Sequence, residues 1–336
     1  MDIQSIVYKI LHTFVDHPCY RLAFNRLYNL SAVAQPGSVI TVVGPTRVGK
    51  TMLSLHLQND LVDPKIQCNS QYIPIVRIEA ATTDQGFIST RYLTKQMLRT
   101  LEHPFHVDGR YTLRPRDSET TFRDHLVAGL NARKTRFIIF DEAHHMLRTK
   151  SDRAAESVLD SMKCLGNETG CVVIFIGGYD LLRYQFLSAH LNGRMTTIEF
   201  SNYTSSHAGL QGFDRLLVTL DEWLPWRRGS SLYHYRDRIY DGTVGCYGQL
   251  IHWSISALAE MMANSENHLR LEHFTCTRRL AQIRAIKDDI NRGKQMLTDL
   301  SEEVQQTRQE IEVGQPGKRK GRPFQRKPAR DAVGLF

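Results

Sequence analysis

Val39-Ile40-Thr41-Val42-Val43-Gly44-Pro45-Thr46-Arg47-Val48-Gly49-Lys50-Thr51-Met52 is the stretch on which the fold turns. Its first five residues form a short β-branched run that reads as a buried strand. Gly44 to Thr51 matches G-x-x-x-x-G-K-[ST], and a helical pattern over Met52–Leu61 follows directly. Strand, glycine-framed loop and helix together make the setting in which this motif holds nucleotide phosphates. The glycines let the backbone curl until successive N–H groups point at one anion. The helix N-terminus adds partial positive charge. Lys50 is expected to reach the β- and γ-phosphates, and the Thr51 hydroxyl to ligate Mg²⁺, which prefers oxygen. The nucleotide-binding set is therefore Gly44, Pro45, Thr46, Arg47, Val48, Gly49, Lys50, Thr51 and Met52, with ATP and Mg²⁺ as cofactors.

A second motif completes this chemistry. Phe137-Ile138-Ile139-Phe140-Asp141-Glu142 is an apolar strand ending in two acids. Acids at the C-terminal end of a parallel strand stand where α/β sheets bind ligands. Asp141 is expected to hold Mg²⁺, mostly through water, and Glu142 to orient the attacking water. His144 and His145 read as the opening of the helix after this strand, not as metal ligands, because no third ligand is spaced to join them. Asp141-Glu142-Ala143-His144 also spells the DEAH box of a helicase class, but the further motifs of those enzymes do not accompany it. Charge stabilisation on the γ-phosphate calls for an arginine. Arg194, between a helix and the fifth strand, suits a finger offered to a neighbouring subunit, with Arg183 in reserve.

Working outward, residues 4–31 read as helical with a break at His17-Pro18. Strands are expected at 73–78, 137–140, 171–176 and 196–200 besides the first, with helices at 87–101, 122–132, 154–165 and 181–191. Alternation of short apolar strands with helices means an α/β domain whose parallel sheet is covered on both faces. Beyond Phe200 the strand pattern stops, and 210–220, 231–237 and 248–262 read as helices of a smaller domain. From Leu280 a long polar helix carries Ile283, Ile290, Leu297, Val304 and Ile311 at a seven-residue spacing. The companion positions alternate between Ile286 or Leu300 and Gly293 or Thr307. That is half a coiled-coil seam, compatible with a paired or a solvated helix. The resulting segments are 1–35, 36–200, 201–290, 291–314 and 315–336.

The chain has 336 residues and a formal net charge of +8. Lys318, Arg319, Lys320, Arg322, Arg326, Lys327 and Arg330 face Asp331 alone, so this tail holds most of the excess and the body is nearly neutral. Such a tail suits a polyanionic or protein partner, and its Pro-rich composition cannot build a core. The six cysteines are scattered, with no Cys-x-x-Cys pair, which suggests neither a zinc site nor a disulfide framework. No signal sequence is read at the start, and no apolar run reaches the roughly 18 residues that would span a bilayer. A bacterial cytoplasmic protein without a membrane partner is expected.

The phrases HPCYRLAFNRLYNL, VVGPTRVGKT, YIPIVRIEA, FIIFDEAHHM, VVIFIGG and NGRM, in that order, make residues 15–290 similar to AAA+ transposition regulators of the TniB/TnsC type. These occur in Tn7-like elements, including CRISPR-associated transposons. The resemblance implies a P-loop AAA+ core with a five-stranded parallel sheet, a small all-helical lid and a basic C-terminal tail. It implies ATP-dependent self-assembly into rings or filaments on double-stranded DNA, linking a target-selection protein to transposase subunits. DNA contacts in such assemblies follow the second strand, which here implicates Arg91, Lys95, Arg99, Arg110, Arg114 and Arg116 in sequence-independent phosphate contacts. Two departures stand out. Gly177-Gly178 occupies the position of the family's usual Thr or Asn (sensor 1), and the lid motif Gly242–Gln249 lacks the arginine of a sensor 2. Slow ATP hydrolysis fits both. The alternative class is another DNA-associated AAA+ ATPase such as a replication initiator or loader, and a scaffold that only binds ATP is disfavoured by intact Lys50, Asp141 and Glu142.

Overall fold

Five parallel strands form one sheet in the order β2-β3-β4-β1-β5: β1 Val39–Val43, β2 Ile75–Glu79, β3 Phe137–Asp141, β4 Val172–Gly177 and β5 Met195–Glu199. They belong to a computed structural model that describes residues 3–61, 71–81, 88–103, 118–149, 151–183 and 195–312, without the side chains of residue 152 and of residues 301–312. Strands β1, β3 and β4 are buried along their whole length, as a parallel sheet covered on both faces requires. Insertion of β4 between β1 and β3 is the decisive topological step. Register pairs Val43 with Gly177 and Glu79 with Asp141, so the C-terminal ends of four strands lie along one edge.

Helix α1 spans Ile3–His12 and α2 spans Pro18–Val33. The break falls where the sequence puts it. Pro18 occupies the first turn of α2, where its missing N–H costs nothing, and the His17 side chain caps that helix. Helix α3, Lys50–Asp60, follows the P-loop, and α2 and α3 share one face of the sheet through Leu27, Leu53, Leu57, Ile139 and Ile174. Helices α4 (Thr90–Thr100), α5 (Glu119–Ala132) and α6 (Asp152–Thr169) complete the α/β layers. Ser89, Ser118 and Ser151 cap them, each accepting from the N–H three residues on.

The helical region consists of α7 (His207–Asp221), α8 (Arg236–Thr243), α9 (Tyr247–Ala263) and α10 (Leu271–Cys276). The helix expected at 231–237 starts later. Asp221 accepts from the N–H groups of Leu232 and Tyr233, and Ser231 from that of His234, which holds this stretch in turns. The second core of the protein lies here and includes Phe213, Leu217, Leu250, Trp253 and Phe274. Ile10 of α1 joins it, whereas Tyr20 and Leu27 of α2 join the sheet core. The N-terminal segment is thus shared between the two cores. His17 stands at the division: its Nδ1 accepts from the Tyr20 N–H and lies 3.1 Å from the Tyr203 hydroxyl. Burial pushes this imidazole down to about 4, so it is neutral with its proton on Nε2.

The chain falls into two compact units, Met1–Lys294 and Gln295–Phe336. Helix α11, Leu280–Glu312, begins in the first and supplies the described part of the second. Within the first unit Ile283, Ile286 and Ile290 are buried, so these seam positions pack on the chain's own body.

Candidate nucleotide site

The P-loop is built by backbone demands. Arg47 and Gly49 both have positive φ, 64° and 114°; the second suits glycine alone among common residues at so large an angle. Gly44 lies against the Phe200 carbonyl, and a Cβ there would come within 2.2 Å of that oxygen. Lys50 is 7% exposed, and its ammonium donates to the Gly44 and Pro45 carbonyls at 3.0 and 2.7 Å. Burial lowers its pKa, opposed by the nearby carboxylates of Glu142, Asp289 and Asp141. Two weak acceptors on a buried ammonium are a poor substitute for phosphate oxygens, so this cradle fits a polyphosphate. Thr51 and Met52, in the first turn of α3, are exposed, while Pro45 and Val48 are buried.

Asp141 is almost fully buried, and its carboxylate is held from three sides. Arg77 of β2 donates to Oδ2 at 2.5 Å, Ser54 of α3 to the same oxygen at 3.1 Å, and the Glu142 N–H to Oδ1 at 3.0 Å. Arg77 also donates to the Ser54 hydroxyl at 2.8 Å. Arg77 and Ser54 escape any motif reading, since β2–β3 pairing and the first turns of α3 bring them in. An alternating strand with a charged residue at its centre, Ile75-Val76-Arg77-Ile78-Glu79, was the available signal.

Glu142 has φ 51° and starts a 3₁₀ turn, Ala143–Leu147, rather than an α-helix; the helix after β3 begins only at Asp152. That turn sets His144 Nδ1 3.1 Å from Glu142 Oε2. His144 first, with Lys50 adding, holds the Glu142 carboxyl below the usual range against the effect of burial. Glu142, His144 and His145 bring ligand atoms within 4.8 Å of one another. A third potential metal ligand, unseen in the spacing, is therefore present in space. The turn also accounts for the glycine at the end of β4: a Cβ on Gly177 would lie 2.9 Å from the His144 nitrogen. No side chain larger than hydrogen fits there without a shift, so the Thr or Asn usual in the resembled family would have no room.

Lys50, Glu142, His144 and His145 line a cavity of about 580 Å³ together with Arg47, Glu79, Asp180 and Asp289. A volume in this range suits a nucleotide. The helical region meets the P-loop through backbone: the Gly248 N–H donates to the Arg47 carbonyl at 2.7 Å, and a Cβ at 248 would lie 2.6 Å from that oxygen.

Of the other site residues read from the sequence, Arg194, Arg110, Arg114 and Arg116 lie outside the described residues. Arg183 is exposed two residues beyond the short turn Tyr179–Leu181. Arg91 and Lys95 lie over the Phe122 ring, 4.7 and 5.5 Å from its centroid, and Arg99 is exposed on α4. None of the three lines the nucleotide cavity. Among the described residues no helix is long and apolar enough to cross a membrane.

Similar folds are found among solved structures. The ORC2 protein of Aeropyrum pernix, in ADPNP and ADP complexes, superposes with a TM-score of 0.53 at 14% identity over 80% of this chain and 70% of that one. Drosophila ORC bound to DNA gives 0.53 at 13% identity over 82% and 65%, and Cdc6p from Pyrobaculum aerophilum 0.53 at 18% over 80% and 69%. At these identities the likeness establishes the P-loop AAA+ fold. No curated protein sequence matches the chain. The family model described as bacterial TniB protein matches residues 8–205. With the cradle, the paired acids and the AAA+ sheet order inside that span, the chain belongs to the TniB family of AAA+ ATPases.

Proposed function

We propose that this protein hydrolyses Mg²⁺-ATP and, in its ATP-bound state, assembles on double-stranded DNA to connect target selection with a transposase. The observation that carries the reading is the convergence of Lys50 and Glu142 on one cavity, with Asp141 fixed beside them by Arg77 and Ser54. In this reading the loop N–H groups and Lys50 bind the phosphates, and Thr51 and Asp141 hold the metal. The metal supplies charge neutralisation on the transferred phosphoryl group. Glu142, kept ionised by His144 and Lys50, orients the attacking water. Arg194 completes the charge on the γ-phosphate from a neighbouring copy, and Arg91, Lys95, Arg99, Arg110, Arg114 and Arg116 supply non-specific phosphate contacts. Family membership favours transposition over replication loading, and Drosophila ORC bound to DNA offers a precedent for the fold next to a duplex.

The test combines binding, turnover and assembly. Lys50→Ala abolishes ATP binding. Glu142→Gln retains binding and lowers hydrolysis by orders of magnitude. Light scattering with duplex DNA of arbitrary sequence reports large assemblies with ATPγS and none without nucleotide, weakening steeply with salt. Arg194→Ala reduces both assembly and turnover. Wild-type turnover in Glu142→Gln, or a monomer under every condition, refutes the reading. Removing residues 318–336 leaves ATP binding intact and lowers transposition, because that basic segment is assigned to a transposase subunit.

A further inference from the structure

Helix α11 lies on the nucleotide cavity. Gln282, Ala285, Ile286, Asp289 and Arg292 recur at spacings of three and four, and all line its wall. They form one face of the helix. Three contacts fix this docking. Ile283, Ile286 and Ile290 are 4–5% exposed. Lys287 and Arg278, just before the helix, both pair with Asp241 of α8. At Gly293 the backbone lies on the Tyr179 ring: a Cβ would sit 2.2–2.4 Å from three ring carbons. That ring is itself held, since the Tyr179 hydroxyl donates to Glu199 at 2.8 Å. No other residue type permits so close an approach without a shift.

The face so presented is acidic where a polyphosphate would enter. Glu79, Glu142, Asp180 and Asp289 share the wall with Lys50, Arg47 and Arg292. Three of these acids belong to strand ends and short turns of the sheet edge. Asp289 alone stands on a helix outside the sheet, and its ion-pair partner is Arg292 at 4.0 Å. Burial and then Asp180 push its carboxyl up, whereas Arg292 and Lys50 favour its ionised form. In the cavity without phosphates it therefore offsets part of the buried Lys50 charge. A bound triphosphate takes over that task and adds negative charge beside Asp289.

Resting on the P-loop reading above, we propose that Asp289 is a nucleotide-sensing residue of this site: with α11 docked it serves beside Glu142 as a second counter-ion to Lys50, and the triphosphate displaces it, loosening α11 from Tyr179. ATP binding and undocking of α11 are then one equilibrium. A ligand that favours one of two states shifts it by its differential affinity. Asp289 is a positioning residue here, acting on phosphate affinity through charge and not through chemistry.

The full chain is titrated with ATPγS and, separately, with adenosine, for wild type, Asp289→Asn, Gly293→Ala and Lys50→Ala. Asp289→Asn removes the competing charge without changing size and raises ATPγS affinity about tenfold, the scale of one partly screened charge lining the same cavity; adenosine affinity does not move. Gly293→Ala pushes α11 off the ring and acts in the same direction. Hydrogen exchange across 280–294 in wild type accelerates on addition of ATPγS. If Gly293→Ala fails to fold, Asp289→Asn and the exchange experiment decide alone. Equal or weaker ATPγS binding by Asp289→Asn, or slower exchange in α11 with ATPγS, overturns the inference. Should wild type bind ATPγS and Lys50→Ala not, while Asp289→Asn matches wild type, the P-loop reading survives and this inference alone falls. Should wild type bind no ATPγS, both fall.

Discussion

Replacing Arg77 by Ala tests how the metal-site carboxylate is held. Arg77 sits on β2, and its guanidinium donates to Asp141 at 2.5 Å and to Ser54 at 2.8 Å. The Asp141 side chain is 2% exposed and that of Arg77 21%. Little discount for solvent applies to such a pair. Removing the cation leaves a buried carboxylate with only Ser54 and one backbone N–H. Breaking buried pairs from one side costs about 3–5 kcal/mol. Partial exposure of Arg77 puts the value here at about 3 kcal/mol. For a body of this size that is a fall in Tm of about 5 °C. The assay is thermal unfolding of the nucleotide-free protein for Arg77→Ala, Asp141→Asn and the double variant. Asp141→Asn removes the charge that needs Arg77, so in the double variant most of the Arg77 cost vanishes. The expected coupling is about 2 kcal/mol. The cycle also separates the ion pair from the lost packing of the Arg77 stem. Additive effects, or an Arg77→Ala protein within about 0.5 kcal/mol of wild type, would refute this account of Asp141.

Protonation of His17 opposes folding, because burial holds it at about 4 against an ordinary 6.5. Stability from this group is complete above pH 6.5 and is lost as pH falls toward 4, by up to about 3 kcal/mol; His17→Gln flattens that part of the pH–Tm curve. His144→Ala lets the Glu142 carboxyl rise, so the acid limb of the ATPase pH profile moves to higher pH, and an unmoved limb shows that His144 does not act on Glu142. Leu57→Ala, fully buried against the sheet, costs about 2–5 kcal/mol in thermal or urea unfolding. Gly248→Ala drives a methyl group against the Arg47 carbonyl and weakens ATP affinity with little change in Tm, as read by the same titrations.

Whatever depends on neighbours along the chain is legible from the order of residues. A β-branched run before G-x-x-x-x-G-K-[ST], and an apolar run ending in Asp-Glu, place Lys50, Asp141 and Glu142 because each motif carries its own strand and turn. The alternation of strands and helices determined the α/β class, and Pro18 the break between α1 and α2, since proline sets φ wherever it stands. The remaining contacts arise only once the elements pack. Strand order set Arg77 on Asp141 across a β2–β3 pairing that no spacing in the chain encodes. The 3₁₀ turn after Glu142 paired it with His144 and left Gly177 no room for a larger side chain. Gly293 reads in sequence as a flaw in a heptad seam; in the fold it is the close approach of α11 to Tyr179. Arg77 and Asp141 are 64 positions apart and Gly293 and Tyr179 are 114 apart, and distance along the chain carries no information about which side chains must be small, or which charges must be paired, until packing brings them together.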